Sequence, residues 1–435
     1  MPLLNLVRSA QSATPEAPSA TRVPPRTDTL DARIMEKLLE LAGRPALAFR
    51  LWTGETVGAP RATAVATFGI ADRRALLRLV LDPSMQFGEL FAAARITLIE
   101  GDLVAALREI FSRRSATVNS STLMGRLARQ LAQTRRNTLL GAKRNIHDHY
   151  DIGNDFYRLW LDPTLSYTCA YFTDENATLL DAQIAKLDHV CRKLRLQPDQ
   201  TVIEAGSGWG SLALHAASRY GVRVRAFNIS HEQIVMARRR ARRAGLTDRV
   251  EFIEDDYRNA SGACDAFVSV GMLEHVGPEH YAELGAVITR TLRADGHGLL
   301  HTIGRNAPQP VNRWIEQRIF PGSYTPSLAE LMAVLEPAGL SVLDVENLRP
   351  HYARTLSLWL QAFNAEQAAV HRMFGPDFVR MWQLYLAGSQ AAFESGEMQL
   401  FQVAFAPATN HRTPWTREHL YHPDARTRQW TAATS

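Results

Sequence analysis

The stretch TVIEAGSGWGS, from Thr201 to Ser211, constrains the fold of this chain more than any other. Its apolar first half predicts a buried β-strand, and an apolar helical pattern follows it. Between them a turn carries glycine at Gly206, Gly208 and Gly210, which lets the backbone turn sharply and a ligand approach closely. The spacing E-x-G-x-G-x-G differs from the dinucleotide pattern G-x-G-x-x-G. The loop therefore favours S-adenosylmethionine (SAM) over NAD, with a purely structural turn as the alternative.

Helical and strand-like patterns alternate around this loop. Such alternation with short turns predicts an α/β fold with a doubly wound, mostly parallel sheet, whose ligands bind at the carboxyl ends of the strands. Beyond it we predict long helices, Tyr352–Phe374 and Phe378–Phe393, that could roof an apolar pocket, and a late strand, Met398–Phe405. The alternating elements are helices 182–194, 212–220, 232–244 and 279–292 and strands 201–204, 222–227, 250–254, 266–270 and 298–303.

The length of 435 residues exceeds what one core usually holds, so we expect two domains or one enlarged domain. No apolar run approaches the roughly 18 residues that span a bilayer. The three cysteines, Cys169, Cys191 and Cys264, have neither disulfide-framework nor zinc-site spacing. These features predict a cytoplasmic protein.

The basic charge is concentrated in the N-terminal third. Residues 1–145 carry 21 Lys+Arg against 12 Asp+Glu, a net +9, whereas the rest carries 28 against 32, a net −4. Within it, a helical pattern from Ser121 to Leu140 combines leucines one turn apart with arginines, which predicts a basic amphipathic helix. An anionic membrane surface, nucleic acid, or solvent alone would suit such a helix. A D/N-P-P-Y run, typical of base-flipping methyltransferases, is absent, so nucleic acid is not favoured.

Polar groups follow two of the predicted strands. Glu274 and His275 lie in SVGMLEHVG, after strand 266–270, and His301 lies in LLHTIG, within strand 298–303. A histidine in an apolar strand is usually a satisfied core residue. Its position at the carboxyl end of a strand, on the cofactor side, favours a functional role here.

These motifs, together with HYDIGNDFYRLWLDPTLSYTCAYF (149–172), DYR (256–258) and IFPG (319–322), resemble the cyclopropane fatty acid synthase family of SAM-dependent methyltransferases. The resemblance runs from about residue 143 to residue 405. It implies a Rossmann-like class I methyltransferase sheet with helical lid insertions, preceded by a small α+β N-terminal domain. Residues 29–115 resemble, more weakly, the lipid-associating domain of the phospholipid-acting members.

The family's chemistry is methylene transfer from SAM to an isolated cis alkene of a fatty acyl chain, with bound bicarbonate as the base. By resemblance, the bicarbonate shell consists of Cys169, Glu274, His301, the backbone at Ile303, and Tyr352. The aromatic rings of Tyr150, Phe156, Tyr171 and Trp359 are candidates for stabilising a carbocation, with ordinary core packing as the alternative for each.

The SAM site implied by the resemblance combines the glycine loop with residues from neighbouring segments. Asn228 stands where the family commonly has threonine, and Ser207 where it usually has cysteine; the first change puts the ribose contact in doubt. The implied cofactor residues are Tyr167, Thr168, Glu204, Gly206, Gly208, Gly210, Asn228, Ile229, Gln233, Asp256 and Tyr257.

The sequence thus predicts a cyclopropane-fatty-acyl-phospholipid synthase associated peripherally with the inner face of the membrane. Its partners would be unsaturated phospholipids and an anionic membrane surface, and its oligomeric state stays open, with a homodimer as one candidate. A methyltransferase giving methyl- or methylene-branched chains and an inactive lipid-binding protein are the alternatives. The predicted organisation is a disordered tail (1–28), the N-terminal domain (29–115), the basic linker helix (116–145), the catalytic domain (146–408) and a C-terminal tail (409–435).

Overall fold

The computed structural model describes residues 29–117 and 152–421. Most of the predicted linker helix, including its basic amphipathic segment 121–140, lies outside the described residues. The same holds for the predicted tail 1–28, for Tyr150 and for residues 422–435.

The N-terminal unit is a small sheet covered by helices. Its strands β1 (Leu47–Arg50), β2 (Thr56–Gly58), β3 (Ala66–Ile70) and β4 (Ile96–Gly101) have the order β2-β1-β3-β4. Side chains of Asp72 and Asp82 cap two of its helices by accepting hydrogen bonds from backbone N–H groups in the first turn. The helices are α1 (Leu30–Leu41), α2 (Arg73–Leu81), α3 (Pro83–Ala92) and α4 (Leu103–Thr117).

The second unit contains the predicted doubly wound sheet. Within the described residues, its strands have the order β10-β11-β9-β8-β5-β6-β7, and the neighbours from β9 through β7 are all parallel. Strand β11 pairs antiparallel with both β9 and β10. The strands are β5 (Thr201–Ala205), β6 (Arg223–Asn228), β7 (Val250–Glu254), β8 (Cys264–Val270), β9 (Leu292–Gly304), β10 (Leu340–Asn347) and β11 (Gln399–Pro407).

Helices cover both faces of this sheet and extend beyond its edge. Buried apolar residues form one cluster on each face, and a third cluster joins the C-terminal helices to the N-terminal unit. The helices are α5 (Asn154–Arg158), α6 (Leu179–Lys193), α7 (Ser211–Tyr220), α8 (His231–Arg243), α9 (Tyr281–Thr291), α10 (Arg313–Arg318), α11 (Leu328–Leu335), α12 (Arg349–Ala365), α13 (Gln367–Phe374), α14 (Pro376–Ser395) and α15 (Glu418–Tyr421).

The prediction of one helix from Tyr352 to Phe374 is wrong. The chain forms α12 and α13, which meet at Glu366, where the backbone has φ −101° and ψ 11°. The break turns the chain so that Phe363 and Val370, on either side of it, are both fully buried. Strand β10 was not predicted, because its polar residues do not alternate regularly with apolar ones, and its register shifts between Val342 and Asp344.

The two units share a tightly packed boundary. A Cβ atom on Gly88 of α3 would lie 2.4 Å from the indole ring of Trp314 in α10. Beside this contact, the Arg318 guanidinium donates two hydrogen bonds of 2.8 Å to the Glu89 carboxylate. Close packing and a bidentate ion pair therefore fix the N-terminal unit against the helices that enclose the site.

Across residues 29–117 and 152–421, no helix combines the length and the apolar character needed to cross a membrane.

Candidate active site

The glycine loop follows β5 as predicted and leads into α7. Gly206 has φ 86°, and a Cβ atom there would lie 2.8 Å from Cβ of Met272. Gly210 has φ 82°, and its Cβ would lie 2.4 Å from the ring of Phe252. Both positions require glycine because the backbone is left-handed and the neighbouring side chains leave no room.

A small cleft of about 100 Å³ opens at this loop, at the carboxyl ends of β5, β6 and β8. Of the predicted cofactor residues, it is lined by Tyr167, Thr168, Glu204, Gly206, Gly208, Asn228 and Gln233. The cleft lining does not include the other four, Gly210, Ile229, Asp256 and Tyr257.

Asn228 braces the loop from the end of β6. Its Nδ2 donates to the carbonyl of Gly208 (3.2 Å) and to Oε1 of Gln233 (2.8 Å), and its Oδ1 accepts from the backbone N–H of Ser230. These bonds use the polar atoms of the amide that a ribose contact would need. The Asp256 carboxylate is paired with the guanidinium of Arg258, with Nε and Oδ1 2.9 Å apart.

A buried lysine, Lys186, and a buried glutamate, Glu204, line the cleft. Nζ of Lys186, on α6, donates to Oγ1 of Thr168 at 2.8 Å. Burial lowers the pKa of Lys186 to about 8 and raises the pKa of Glu204 to about 8. The sequence reasoning missed Lys186, although the buried polar residues Gln183, Lys186 and His189 recur at three-residue spacing on α6, a recognisable signal.

A second cavity, of about 2720 Å³, lies beside the cleft and extends into the N-terminal unit. Tyr167, Thr168, Gly271 and His275 line both spaces, so the cleft and the cavity meet at these residues. The N-terminal unit contributes apolar side chains to the cavity wall, among them Ile34, Leu38, Leu39, Phe49, Leu79 and Phe87.

Polar groups gather in the cavity near the point where it meets the cleft. Four of the five predicted catalytic residues, Glu274, His301, Ile303 and Tyr352, line it. Cys169 does not; its buried thiol donates to the carbonyl oxygen of Ala170 at 3.1 Å. Burial raises the pKa of the Cys169 thiol well above its usual range, so the sulfur is a neutral thiol.

Glu274 is buried, and only one of its carboxyl oxygens is satisfied. Oε1 accepts a hydrogen bond of 2.6 Å from the backbone N–H of Ile303, which occupies that N–H. Oε2 has no hydrogen-bond partner among the described residues. Burial raises the pKa of Glu274 to about 7, so the carboxyl exchanges a proton readily near neutral pH.

His301 is buried and neutral. Its Nδ1 lies 3.0 Å from Nε2 of Gln402, and its Nε2 has no partner within the part of the chain that the structure describes. Burial lowers the pKa of His301 well below its ordinary value, and it lowers the pKa of His275, at the cleft, to about 4. Two uncharged imidazoles therefore line the cavity, and that of His275 lies where the cavity meets the cleft.

The predicted carbocation-stabilising rings lie elsewhere. Phe156, Tyr171 and Trp359 are absent from the cavity wall. Phe156 and Trp359 pack in a buried aromatic cluster, and Tyr171 stacks on His189 with ring centroids 4.3 Å apart. The rings that do line the cavity include Tyr167, Phe320, Tyr352, Tyr385 and Phe393, and the hydroxyl groups of Tyr167 and Tyr385 are 2.7 Å apart.

The model of the mycolic acid cyclopropane synthetase family matches residues 138–403, more than half of the chain. The chain belongs to this family. The protein is accordingly a SAM-dependent methyltransferase of the cyclopropane synthase type.

Named relatives match both within and beyond that region. A probable fatty acid methyltransferase of Pseudomonas putida is 36% identical over 358 residues, which cover 80% of this chain and 89% of that protein. The cyclopropane-fatty-acyl-phospholipid synthase of Escherichia coli K12 is 39% identical over 260 residues, 60% of this chain and 66% of that one. The sequence comparison thus extends from cyclopropane synthases to methyltransferases named for fatty acids.

Solved structures confirm the predicted fold. The mycolic acid cyclopropane synthase CmaA1, in complex with SAH and CTAB, has a TM-score of 0.58 at 32% identity. The match covers 60% of this chain and 97% of CmaA1. Coclaurine N-methyltransferase, at 20% identity, has a TM-score of 0.61 and shares the fold alone. The class I methyltransferase sheet and SAM as cofactor are therefore supported from both sequence and structure.

Proposed function

We propose that this protein is a cyclopropane-fatty-acyl-phospholipid synthase, which transfers a methylene unit from SAM to the cis double bond of an unsaturated phospholipid acyl chain. The observation that carries the proposal is the large cavity, which is mainly apolar in the N-terminal unit and polar where it meets the SAM cleft. An apolar acyl chain suits the apolar part of the cavity, and an alkene placed at the junction would face the methyl group of SAM.

The reaction needs an electrophile, an apolar site and a base. SAM, when bound, supplies an electrophilic methyl group. The alkene forms a bond to this carbon as the carbon–sulfur bond breaks, and loss of one proton from the new methyl group closes the ring. The ring of Tyr167 lines the junction and that of Phe320 lines the cavity, and both suit the transient positive charge.

The base proposed for this step is a bicarbonate ion held near Glu274. Three of the predicted shell residues fit a small anion, because His301, Glu274 and Tyr352 line the same cavity. His301 Nε2 and Glu274 Oε2 are buried atoms without partners among the described residues, as expected where a further group binds. The other two fit less well, since the Ile303 N–H bonds Glu274 and the Cys169 thiol bonds Ala170. In this site Glu274 would accept the proton and pass it on.

The direct test is expression in a bacterial host that lacks its own cyclopropane synthase, followed by lipid mass spectrometry. We expect unsaturated phospholipids to gain the mass of one CH2 and the new species to resist mild hydrogenation. A gain of CH2 in a product that hydrogenation converts would favour the methylene-branching alternative. Unchanged lipids together with absent SAM binding in calorimetry would favour the inactive lipid-binding protein.

We further propose that the protein is cytoplasmic and docks on the inner face of the membrane at the cavity mouth. Leu41 at the end of α1 and Leu81 at the end of α2 are 77% and 84% exposed, and both line the cavity. Exposed leucines at the entrance to an apolar cavity are suited to insertion among lipid chains. The net charge of +9 in residues 1–145 supports attraction to anionic lipid. A homodimer stays a prediction.

Vesicle sedimentation tests this docking surface. Changing both leucines to serine should weaken binding to anionic vesicles on the order of tenfold per residue, because each buried leucine contributes roughly 1.5 kcal/mol. Ile99→Ser is the matched control, since Ile99 is 42% exposed and lies away from the cavity lining. Equal binding by the double variant and the control would refute the assignment of the two leucines to the docking surface. Binding that does not change with salt concentration or lipid charge would refute the attraction to anionic lipid.

A further inference from the structure

A row of polar side chains crosses the sheet behind the cavity. In the strand register, Gln402 of β11 lies opposite His301 of β9 on one side and opposite Glu346 of β10 on the other. Residues directly opposite each other in neighbouring strands project to the same face of a sheet. The three side chains therefore share one face, at which the Glu346 carboxylate is bound by Lys193 and His189 of α6.

Gln402 is completely buried, in a strand whose other residues, apart from Gln399, are apolar. Its amide nitrogen lies 3.0 Å from Nδ1 of His301. An amide nitrogen is only a donor, so Nδ1 is the acceptor and the single proton of the neutral ring is on Nε2. Nε2 is the buried atom of His301 that has no partner among the described residues.

We propose that Gln402 is a positioning residue, which fixes the His301 ring and its Nε2–H tautomer so that this ring offers a hydrogen-bond donor at the polar end of the cavity. The role of this donor in the reaction rests on the proposed function, because the group that would accept its hydrogen bond is an anionic oxygen of the proposed base. The tautomer itself does not depend on which substrate the protein uses.

The tautomer matters because the opposite one would reverse the role of the ring. With the proton on Nδ1, Nε2 would present a lone pair to an anionic oxygen, and two acceptors repel each other. Hydrogen-bond partners that orient metal-ligating histidines typically contribute 10- to 100-fold to activity or affinity, and the same orienting contact is present here. We expect a loss in that range when Gln402 can no longer donate.

The test uses nitrogen-15 NMR of the histidine rings in the full-length protein, with the His301 signals assigned by their absence in His301→Asn. Wild type should show a protonated Nε2 and an unprotonated Nδ1. Gln402→Glu is nearly isosteric; at a pH where the buried side chain is ionised, its carboxylate only accepts, so Nδ1 should become protonated. Gln402→Met should give a mixture of tautomers.

Kinetics on the same variants provide the second readout. Both substitutions should lower kcat by roughly 10- to 100-fold and change the Kd for SAM by no more than a few-fold. Gln399→Met is the control, because Gln399 is a buried glutamine of the same strand that bonds Asn347 instead of His301; it should keep the wild-type tautomer and kcat.

A wild-type His301 with its proton on Nδ1 would overturn the inference, as would a Gln402→Met protein with unchanged kcat. If Gln402→Met does not fold, the isosteric glutamate variant decides the question alone. If wild type adds no CH2 to any lipid, the proposed function fails, whereas the NMR result still decides whether Gln402 sets the tautomer.

Discussion

Replacing Glu274 by glutamine should raise the unfolding free energy relative to wild type as pH increases, and it should lower turnover. Burial raises the pKa of Glu274 from 4.5 to about 7, and each pKa unit corresponds to about 1.4 kcal/mol. The folded protein therefore holds this proton more tightly than the unfolded chain does. As pH rises from 4.5 through 7, the free energy of unfolding falls, by about 3 kcal/mol in total, because the folded state must bury a charge.

Glutamine removes this titration and keeps the size of the side chain. The difference in unfolding free energy, variant minus wild type, should rise by roughly 2.5 kcal/mol between about pH 5 and about pH 8. Costs that do not depend on pH, such as an unpaired amide N–H in place of Oε2, cancel in this comparison. The amide oxygen still accepts from the Ile303 N–H, so the local backbone should be retained.

The assay is urea unfolding of both proteins across this pH range in bicarbonate-depleted buffer, with exposed Glu366→Gln as the control. Turnover of Glu274→Gln should fall by about 10²- to 10⁴-fold while the Kd for SAM stays within a few-fold. A stability difference that does not vary with pH would refute the claim that burial raises the pKa of Glu274. Unimpaired turnover would refute its role in proton transfer.

Two further changes probe the cofactor cleft and the boundary between the units. Lys186→Met should weaken SAM binding about tenfold in calorimetry, because it removes the hydrogen bond that holds Thr168 at the cleft. The control is Lys193→Met, which removes a buried lysine of the same helix that binds Glu346 and should leave the Kd for SAM unchanged. Equal effects of the two substitutions would contradict a specific role of Lys186 at the cleft. Gly88→Ala should lower the unfolding free energy by about 1–3 kcal/mol, since its Cβ would collide with Trp314. The control is Gly388→Ala, whose Cβ would lie 3.9 Å from Leu107; it should raise the unfolding free energy by up to about 1 kcal/mol. Thermal unfolding decides this pair, and a stabilised Gly88→Ala protein would show that the boundary is loosely packed.

The sheet and the glycine loop could be predicted from sequence because local patterns determine them. Alternating helical and strand periods predict β5 through β9, and the positive φ values of Gly206 and Gly210 explain why the loop requires glycine. By contrast, edge strand β10 and the break at Glu366 depend on tertiary packing, which leaves no periodic signal.

The polar end of the cavity could be predicted only in part. Glu274 and His301 follow from their positions at strand ends, and the structure brings them to one cavity. The contact between Gln402 and His301 joins residues 101 positions apart, and the burial of Lys186 opposes its charge, so residue type alone predicts neither. The lining rings Tyr385 and Phe393 come from α14, which sequence predicts as a helix without showing which face meets the cavity.

Ring formation can be followed directly with the purified protein, vesicles of unsaturated phospholipid, and SAM whose methyl group carries three deuterium atoms. Ring closure requires loss of one of them, so we expect a product that retains two deuterium atoms and withstands mild hydrogenation. A product that retains all three would be a methyl branch formed without proton loss from the transferred carbon, and it would contradict the assignment as a cyclopropane synthase.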